Sequence, residues 1–79
     1  MNIRLFGITK DIIGAESLQV PNDLSIHTVR DLKHWLYAKY PDIKSLKALA
    51  VAVDHGYAED GDKLSPGNEI ALIPPVSGG

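Results

Sequence analysis

A chain of 79 residues, 44% hydrophobic and with a formal net charge of −2, is one folded domain near the lower size limit for a self-sufficient core. It has no cysteine, which excludes disulfides, thiolate metal sites and a cysteine nucleophile. The acidic balance gives no reason to expect nucleic-acid binding, and no apolar stretch approaches the roughly 20 residues of a membrane-spanning helix.

Residues 2–8, NIRLFGI, read as a first strand with Ile3 and Leu5 on one face and Arg4 on the other. Phe6 makes the alternation imperfect. Core packing is the first reading of its ring, and an exposed partner contact is the second. Residues 9–15 are a connector with room for one helical turn around Asp11 to Ile13, and Gly14 is the natural stop. Residues 16–20, ESLQV, form a short second strand with Leu18 and Val20 on one side, ended by Pro21-Asn22-Asp23.

The spacing predicts a helix from about 29 to 40. Thr28 is a good N-cap, and Asp31 three residues later gives a weaker form of the capping box, which prefers Glu or Gln. Val29, Leu32, Leu36 and Tyr40 line one stripe, flanked by Trp35, with Lys33, His34 and Tyr37 around it. Pro41 ends the helix. Residues 42–48 have the spacing of a further short turn, with Ile43 and Leu46 three apart.

Residues 49–53, LAVAV, are a third strand, with Leu49, Val51 and Val53 facing one way and Ala50 and Ala52 the other. Asp54-His55-Gly56 resembles a tight reversal. Residues 57–68 read as a polar loop with turns at Asp60-Gly61 and Ser65-Pro66-Gly67-Asn68, the second suited to type II. The last strand is 69–73, EIALI, with Ile70 and Leu72 opposite Ala71 and Ile73. The order strand, strand, helix, strand, strand defines an α+β domain, a sheet with one main helix laid across it. One helix covers one face only. The second face, with Ala50, Ala52, Ala71 and Ile73, is a candidate partner surface, although small alanines are equally at home on a solvated face.

The tail that follows is PPVSGG. Its two prolines hold the chain extended as it leaves the sheet. Gly78 and Gly79 allow close approach of another protein's walls. The residues from Pro75 to Gly79 reach about 17 Å when extended. Such a tail suits a narrow channel, with the Gly79 carboxylate as the one reactive group that enters an active site. That carboxylate is inert until activated as an acyl-adenylate with ATP, after which sulfur can replace an oxygen to give a thiocarboxylate. A frayed end is the alternative for a lone Gly-Gly, and the proline pair behind a core strand weighs against it.

These features resemble the small subunit of molybdopterin synthase. The resemblance runs almost end to end: the opening strand, Thr28-Val29-Arg30-Asp31-Leu32 at the helix start, Tyr40-Pro41 at its end, and above all the run from Leu64 through Ser65-Pro66-Gly67-Asn68-Glu69 to Pro74-Pro75-Val76-Ser77-Gly78-Gly79. Asn68 stands where the family often has Asp, and Asp54-His55 where an Asn-Gln-like turn is common. The resemblance implies a ubiquitin-like β-grasp, a mixed sheet packed against one main helix, over residues 1–75, with a tail at 76–79. It implies that Gly79 is adenylated by an E1-like enzyme, which uses ATP, and then carries the thiocarboxylate, with Gly78 as the slender neck. Pro74, Pro75, Val76 and Ser77 would line the entry into a large subunit. Sulfur then passes to a cyclic pyranopterin precursor. The large subunit supplies the catalytic side chains in an assembly of two small and two large subunits, so this chain is a donor with no stably bound cofactor. Apart from the resemblance, Ile73 and Ala71 of the second sheet face, and Phe6 on its second reading, are the candidate partner contacts.

Other features carry less. His27, His34 and His55 are too scattered for a metal site. His34 reads as a solvated helix residue and His55 as a turn residue with some chance of touching a partner. Glu59, Asp60 and Asp62 lack the ligand spacing of a calcium loop. They belong to an acidic last third, following a middle made basic by Arg30, Lys33, Lys39, Lys44 and Lys47. That segment either steers a basic partner or is simply solvated. With no basic, apolar leader, the expected location is cytoplasmic. The rivals are a carrier for another sulfur pathway such as thiamine synthesis, a ubiquitin-like modifier that forms isopeptide bonds, and a non-covalent binding module with an idle tail.

Overall fold

The computed structural model describes residues 1–21, 25–46 and 49–74. Along the chain run β1 (Asn2–Leu5), α1 (Ile8–Ile13), β2 (Ser17–Gln19), α2 (Val29–Lys39), α3 (Pro41–Lys44), β3 (Ala50–Val53), β4 (Gly56–Ala58) and β5 (Ile70–Ile73). The strands form one sheet in the order β2-β1-β5-β3-β4. The pairing of β1 with β5 is parallel, and the other three are antiparallel. A mixed sheet with its first and last strands side by side at the centre and a helix across one face is the ubiquitin-like β-grasp.

Strand parity sets the two faces. In β1, Ile3 and Leu5 are buried while Asn2 and Arg4 are exposed. In β5, Ile70 and Leu72 are buried while Ala71 and Ile73 are partly exposed. Together with Val51 these residues meet Val29, Leu32 and Leu36 of α2, all fully buried, and Val20 and Leu64 complete the cluster. Trp35, Tyr40, Leu18, Leu49 and Val53 pack around it. The helical stripe thus faces the core as its spacing requires.

The start of α2 is capped from two sides. Thr28 Oγ1 accepts the Asp31 N–H at 3.2 Å, and the Asp31 carboxylate accepts the N–H of Thr28 at 3.2 Å and of His27 at 3.0 Å. This is a complete capping box, built with aspartate in place of the longer acid. The remaining first-turn amides are met by the 59–62 loop: Val29 N–H donates to the Asp62 carbonyl at 3.0 Å and Arg30 N–H to the Asp60 carbonyl at 2.9 Å. Lys33 Nζ reaches Asp60 Oδ1 at 2.7 Å. The acidic loop is therefore an N-terminal cap for α2, through its main chain. A helix start needs four such donors satisfied, which is why this loop is held in place.

Four features differ from the sequence reading. The first strand stops at Leu5 instead of running to residue 8, and α1 takes Ile8 and most of the 9–15 connector, ended by Gly14 in the left-handed conformation at φ 81°. Pro41 ends α2 and also opens α3, where its missing N–H costs nothing. The expected polar loop from 57 begins with strand β4, which pairs along β3 with Val51 opposite Ala58 and Val53 opposite Gly56. The two-residue turn before it, Asp54-His55, has positive φ at both positions (50° and 72°), the conformation that favours tight hairpins. Finally, Asn68 N–H closes the 65–68 turn on the Ser65 carbonyl at 3.0 Å, but Gly67 does not take positive φ, so the turn is not type II. The Asn68 side chain holds it instead: Oδ1 accepts the Ser65 N–H at 2.6 Å, and Nδ2 donates to Asp54 Oδ2 at 2.7 Å.

Candidate functional site

The outer face of the sheet follows from register. Arg4 lies opposite Ala71, Ala71 opposite Ala52, and Ala52 opposite Tyr57. One row therefore crosses four strands with two methyl groups in the middle and long side chains at both ends. The next row pairs Ala50 with Ile73. Small residues between large ones make a trough. It is an open depression of about 360 Å³ lined by Arg4, Phe6, Ala52, His55, Tyr57, Glu69, Ile70, Ala71 and Ile73.

Phe6 belongs to this face. Its ring is 43% exposed, and the Arg4 guanidinium sits 5.9 Å from its centroid, within cation–π range. The reading that placed Phe6 in the core is corrected. The inward positions of β1 are 3 and 5, so residue 6 continues the outward parity of Arg4. At the far rim Tyr57 is 78% exposed. His55 Nε2 lies 3.1 Å from Glu69 Oε2. The Asp54 carboxylate fixes this rim by accepting Glu69 N–H at 2.8 Å as well as the Asn68 amide. Asp54 N–H returns a bond to the Glu69 carbonyl at 2.8 Å.

Of the residues singled out in the sequence, the structure brings Phe6, Ala71 and Ile73 together on this trough, with Pro74 next along the chain. Arg4, Tyr57, Glu69 and His55 join them. Tyr57 was not singled out as a contact, because the strand that aims it outward was read as loop, and Glu69 was read as the first residue of the last strand. Only the alternation of LAVAV and the following reversal hinted at a returning strand. Pro75, Val76, Ser77, Gly78 and Gly79 lie outside the described residues. Among the described residues no group of three or more His, Asp or Glu side chains is placed to hold a metal ion, and no helix is long and apolar enough to cross a membrane.

The fold and the face together define a class: a β-grasp domain with an open apolar trough along its central strands, from which β5 runs on to Pro74. Residues 3–79 match the ThiS family, and the chain belongs to that family. The molybdopterin synthase sulfur carrier subunit of Dictyostelium discoideum is 40% identical to it, over 98% of this chain and 93% of that protein. Among solved structures, SAMP1 from Haloferax volcanii superposes with a TM-score of 0.80 at 28% identity, covering 99% of this chain and 97% of that one. A chain from the protein–protein complex of subunits 1 and 2 of the molybdopterin-converting factor of Helicobacter pylori superposes with a TM-score of 0.66 at 25% identity, covering 99% of this chain and 96% of that one.

Proposed function

We propose that the chain is the sulfur carrier subunit of a molybdopterin synthase. The observation that carries this reading is the end-to-end similarity to proteins of that name. In this reading residues 1–75 are the docking domain and 76–79 the tail, and the protein works in the cytoplasm. An E1-like enzyme joins the Gly79 carboxylate to the AMP moiety of ATP and releases pyrophosphate. A sulfide equivalent then displaces AMP and leaves a thiocarboxylate. The large subunit takes the loaded tail into its own active site. There the sulfur passes to the cyclic pyranopterin precursor, and water restores the Gly79 carboxylate.

The trough serves the docking steps. Phe6, Tyr57 and Ile73 offer apolar area around a floor of two alanines, and Arg4, His55 and Glu69 give the rim its polarity. Interfaces of this type place aromatic anchors in a dry centre with charges outside. The central strand then delivers the chain to Pro74 at the edge of that contact, so docking and tail insertion share one geometry.

A second reading as a modifier of lysines has support in the similarity to a small archaeal modifier protein at a TM-score of 0.78 and 25% identity. It shares every step up to the adenylate. Intact mass after incubation with ATP, a sulfur source and the activating enzyme separates the readings. The expected result is a gain equal to the difference between sulfur and oxygen, reversed by the large subunit with the pyranopterin precursor. Attachment of the chain to lysines with no such gain points to the modifier. Deletion of Gly79 is expected to abolish the gain and leave docking intact. A deletion that still loads refutes both readings.

A further inference from the structure

We infer that Gly7 is a positioning residue for the C-terminal tail and that it acts through Pro74. The parallel pairing of β1 and β5 ends with Leu5 opposite Leu72. Two residues further along each strand come Gly7 and Pro74, and they touch. A Cβ at Gly7 would lie 2.9 Å from Pro74 Cγ, closer than carbon atoms approach without displacement. The proline ring is tied to its own backbone nitrogen, so it cannot swing aside as the tip of a long side chain does.

Gly7 is not free to yield either. Its φ of 57° with ψ of −135° belongs to a region open almost only to glycine. The surrounding turn is bolted down by Thr9, the one buried polar side chain among the described residues. The Thr9 hydroxyl accepts the Phe6 N–H at 3.1 Å and donates to the Phe6 carbonyl. Lys10 N–H donates to the Gly7 carbonyl at 3.1 Å. The bare α-carbon of Gly7 is thus a fixed seat, and the Pro74 ring rests on it. Because proline also fixes its own φ, the seat sets the direction in which the chain leaves the sheet. Five residues reach about 17 Å when fully extended, so for a tail held extended in a channel a swing of about 10° at the root moves the tip by about 3 Å, and misplacement by about 1 Å can cost about 100-fold in rate.

The inference rests on the carrier reading. It is tested with the full chain and its activating enzyme by comparing wild type, Gly7→Ala, Pro74→Ala and the double variant for kcat, KM and thermal midpoint. Gly7→Ala is expected to keep KM within about twofold, since the trough is untouched, and to lose at least about tenfold in kcat. Pro74→Ala removes the ring, and kcat falls by a few-fold. The double variant is expected to recover the kcat of Pro74→Ala while keeping the lowered thermal midpoint of Gly7→Ala, because positive-φ strain at residue 7 does not depend on Pro74. A purely structural role would move kcat and midpoint together. Wild-type kcat in Gly7→Ala, or a double variant that stays at the kcat of Gly7→Ala instead of rising to that of Pro74→Ala, overturns the inference. Should Gly7→Ala not fold, an unchanged kcat in Pro74→Ala overturns it alone. A wild-type chain that fails to load refutes the carrier reading and the inference with it, whereas one that loads no faster than Gly7→Ala refutes the inference only.

Discussion

Replacing Tyr57 by alanine tests the trough where it is least entangled with folding. Tyr57 is 78% exposed on β4, at the edge of the sheet, so its loss is expected to change stability by no more than about 0.5 kcal/mol. An aromatic side chain buries about 150–250 Å² when covered, which leaves on the order of 150 Å² of Tyr57 for a partner. At about 25 cal/mol per Å² full coverage would be worth on the order of 4 kcal/mol. The phenol hydroxyl and a rim position reduce this to about 2 kcal/mol, or about 30-fold in Kd. Calorimetric titration of the large subunit with wild type, Tyr57→Ala and Tyr57→Phe reads the effect directly. Tyr57→Phe is expected to bind nearly as wild type, because the ring supplies the area. His34→Ala, exposed on α2 across the domain, is the control and should bind as wild type. Equal affinity for Tyr57→Ala and wild type, with the fold intact, would refute the assignment of this face to docking.

Two further outcomes concern the fold itself. Leu36 is fully buried between α2 and the sheet, and Leu36→Ala is expected to cost about 2–5 kcal/mol. Since a domain of this size holds only about 3–5 kcal/mol in all, the variant should keep a small part of its stability at most, with a urea midpoint far below that of wild type by circular dichroism, and an unchanged midpoint would count against the core assignment. The Asp31 carboxyl is held below its ordinary value of 3.8, chiefly by the His27 N–H and then by the Thr28 N–H and hydroxyl. Asp60 is lowered likewise, first by its hydrogen bond from Lys33. In both cases the unfolded chain binds the proton more readily, so their contribution to stability is present above about 3.8 and is lost as pH falls through the lower folded values. The stability difference between wild type and Asp31→Asn in urea melts should therefore shrink as pH drops below about 4. A difference that stays constant across that range would show that the carboxylate charge is not what the cap uses.

Much of the fold is written in the sequence pattern itself. Alternation placed Ile3, Leu5, Ile70 and Leu72 inward, and the cap and stripe of α2 were readable because Thr28, Val29, Leu32 and Leu36 fit one helical period. The reading of Pro74-Pro75-Val76-Ser77-Gly78-Gly79 as a working tail falls, beyond Pro74, outside the described residues. Other parts were not legible, for identifiable reasons. Only Thr9 of the six residues in α1 is buried, so no apolar period announces a helix. The strand Gly56–Ala58 is three residues long and exists through its pairing with β3. Phe6 misled because its apolar character argued inward while its parity argued outward, and parity won. The Gly7 seat could not be read at all, since it depends on a parallel register between the two ends of the chain.

That register has a consequence for how the protein is made. The strand leading to the tail fills the middle of the sheet, where Ile70 pairs with Ile3 on one side and Val53 on the other. A nascent chain emerging from the ribosome cannot close the sheet until its last strand is out, because β1 and β3 share no border without it. An incompletely synthesised chain thus offers no folded surface to a partner. Proteolysis acts in the opposite sense. Every strand pairing described here lies before Pro74, so a molecule clipped just beyond that residue keeps its sheet and its trough. Such a molecule would occupy the partner without delivering anything, turning a damaged carrier into a competitor of the intact one.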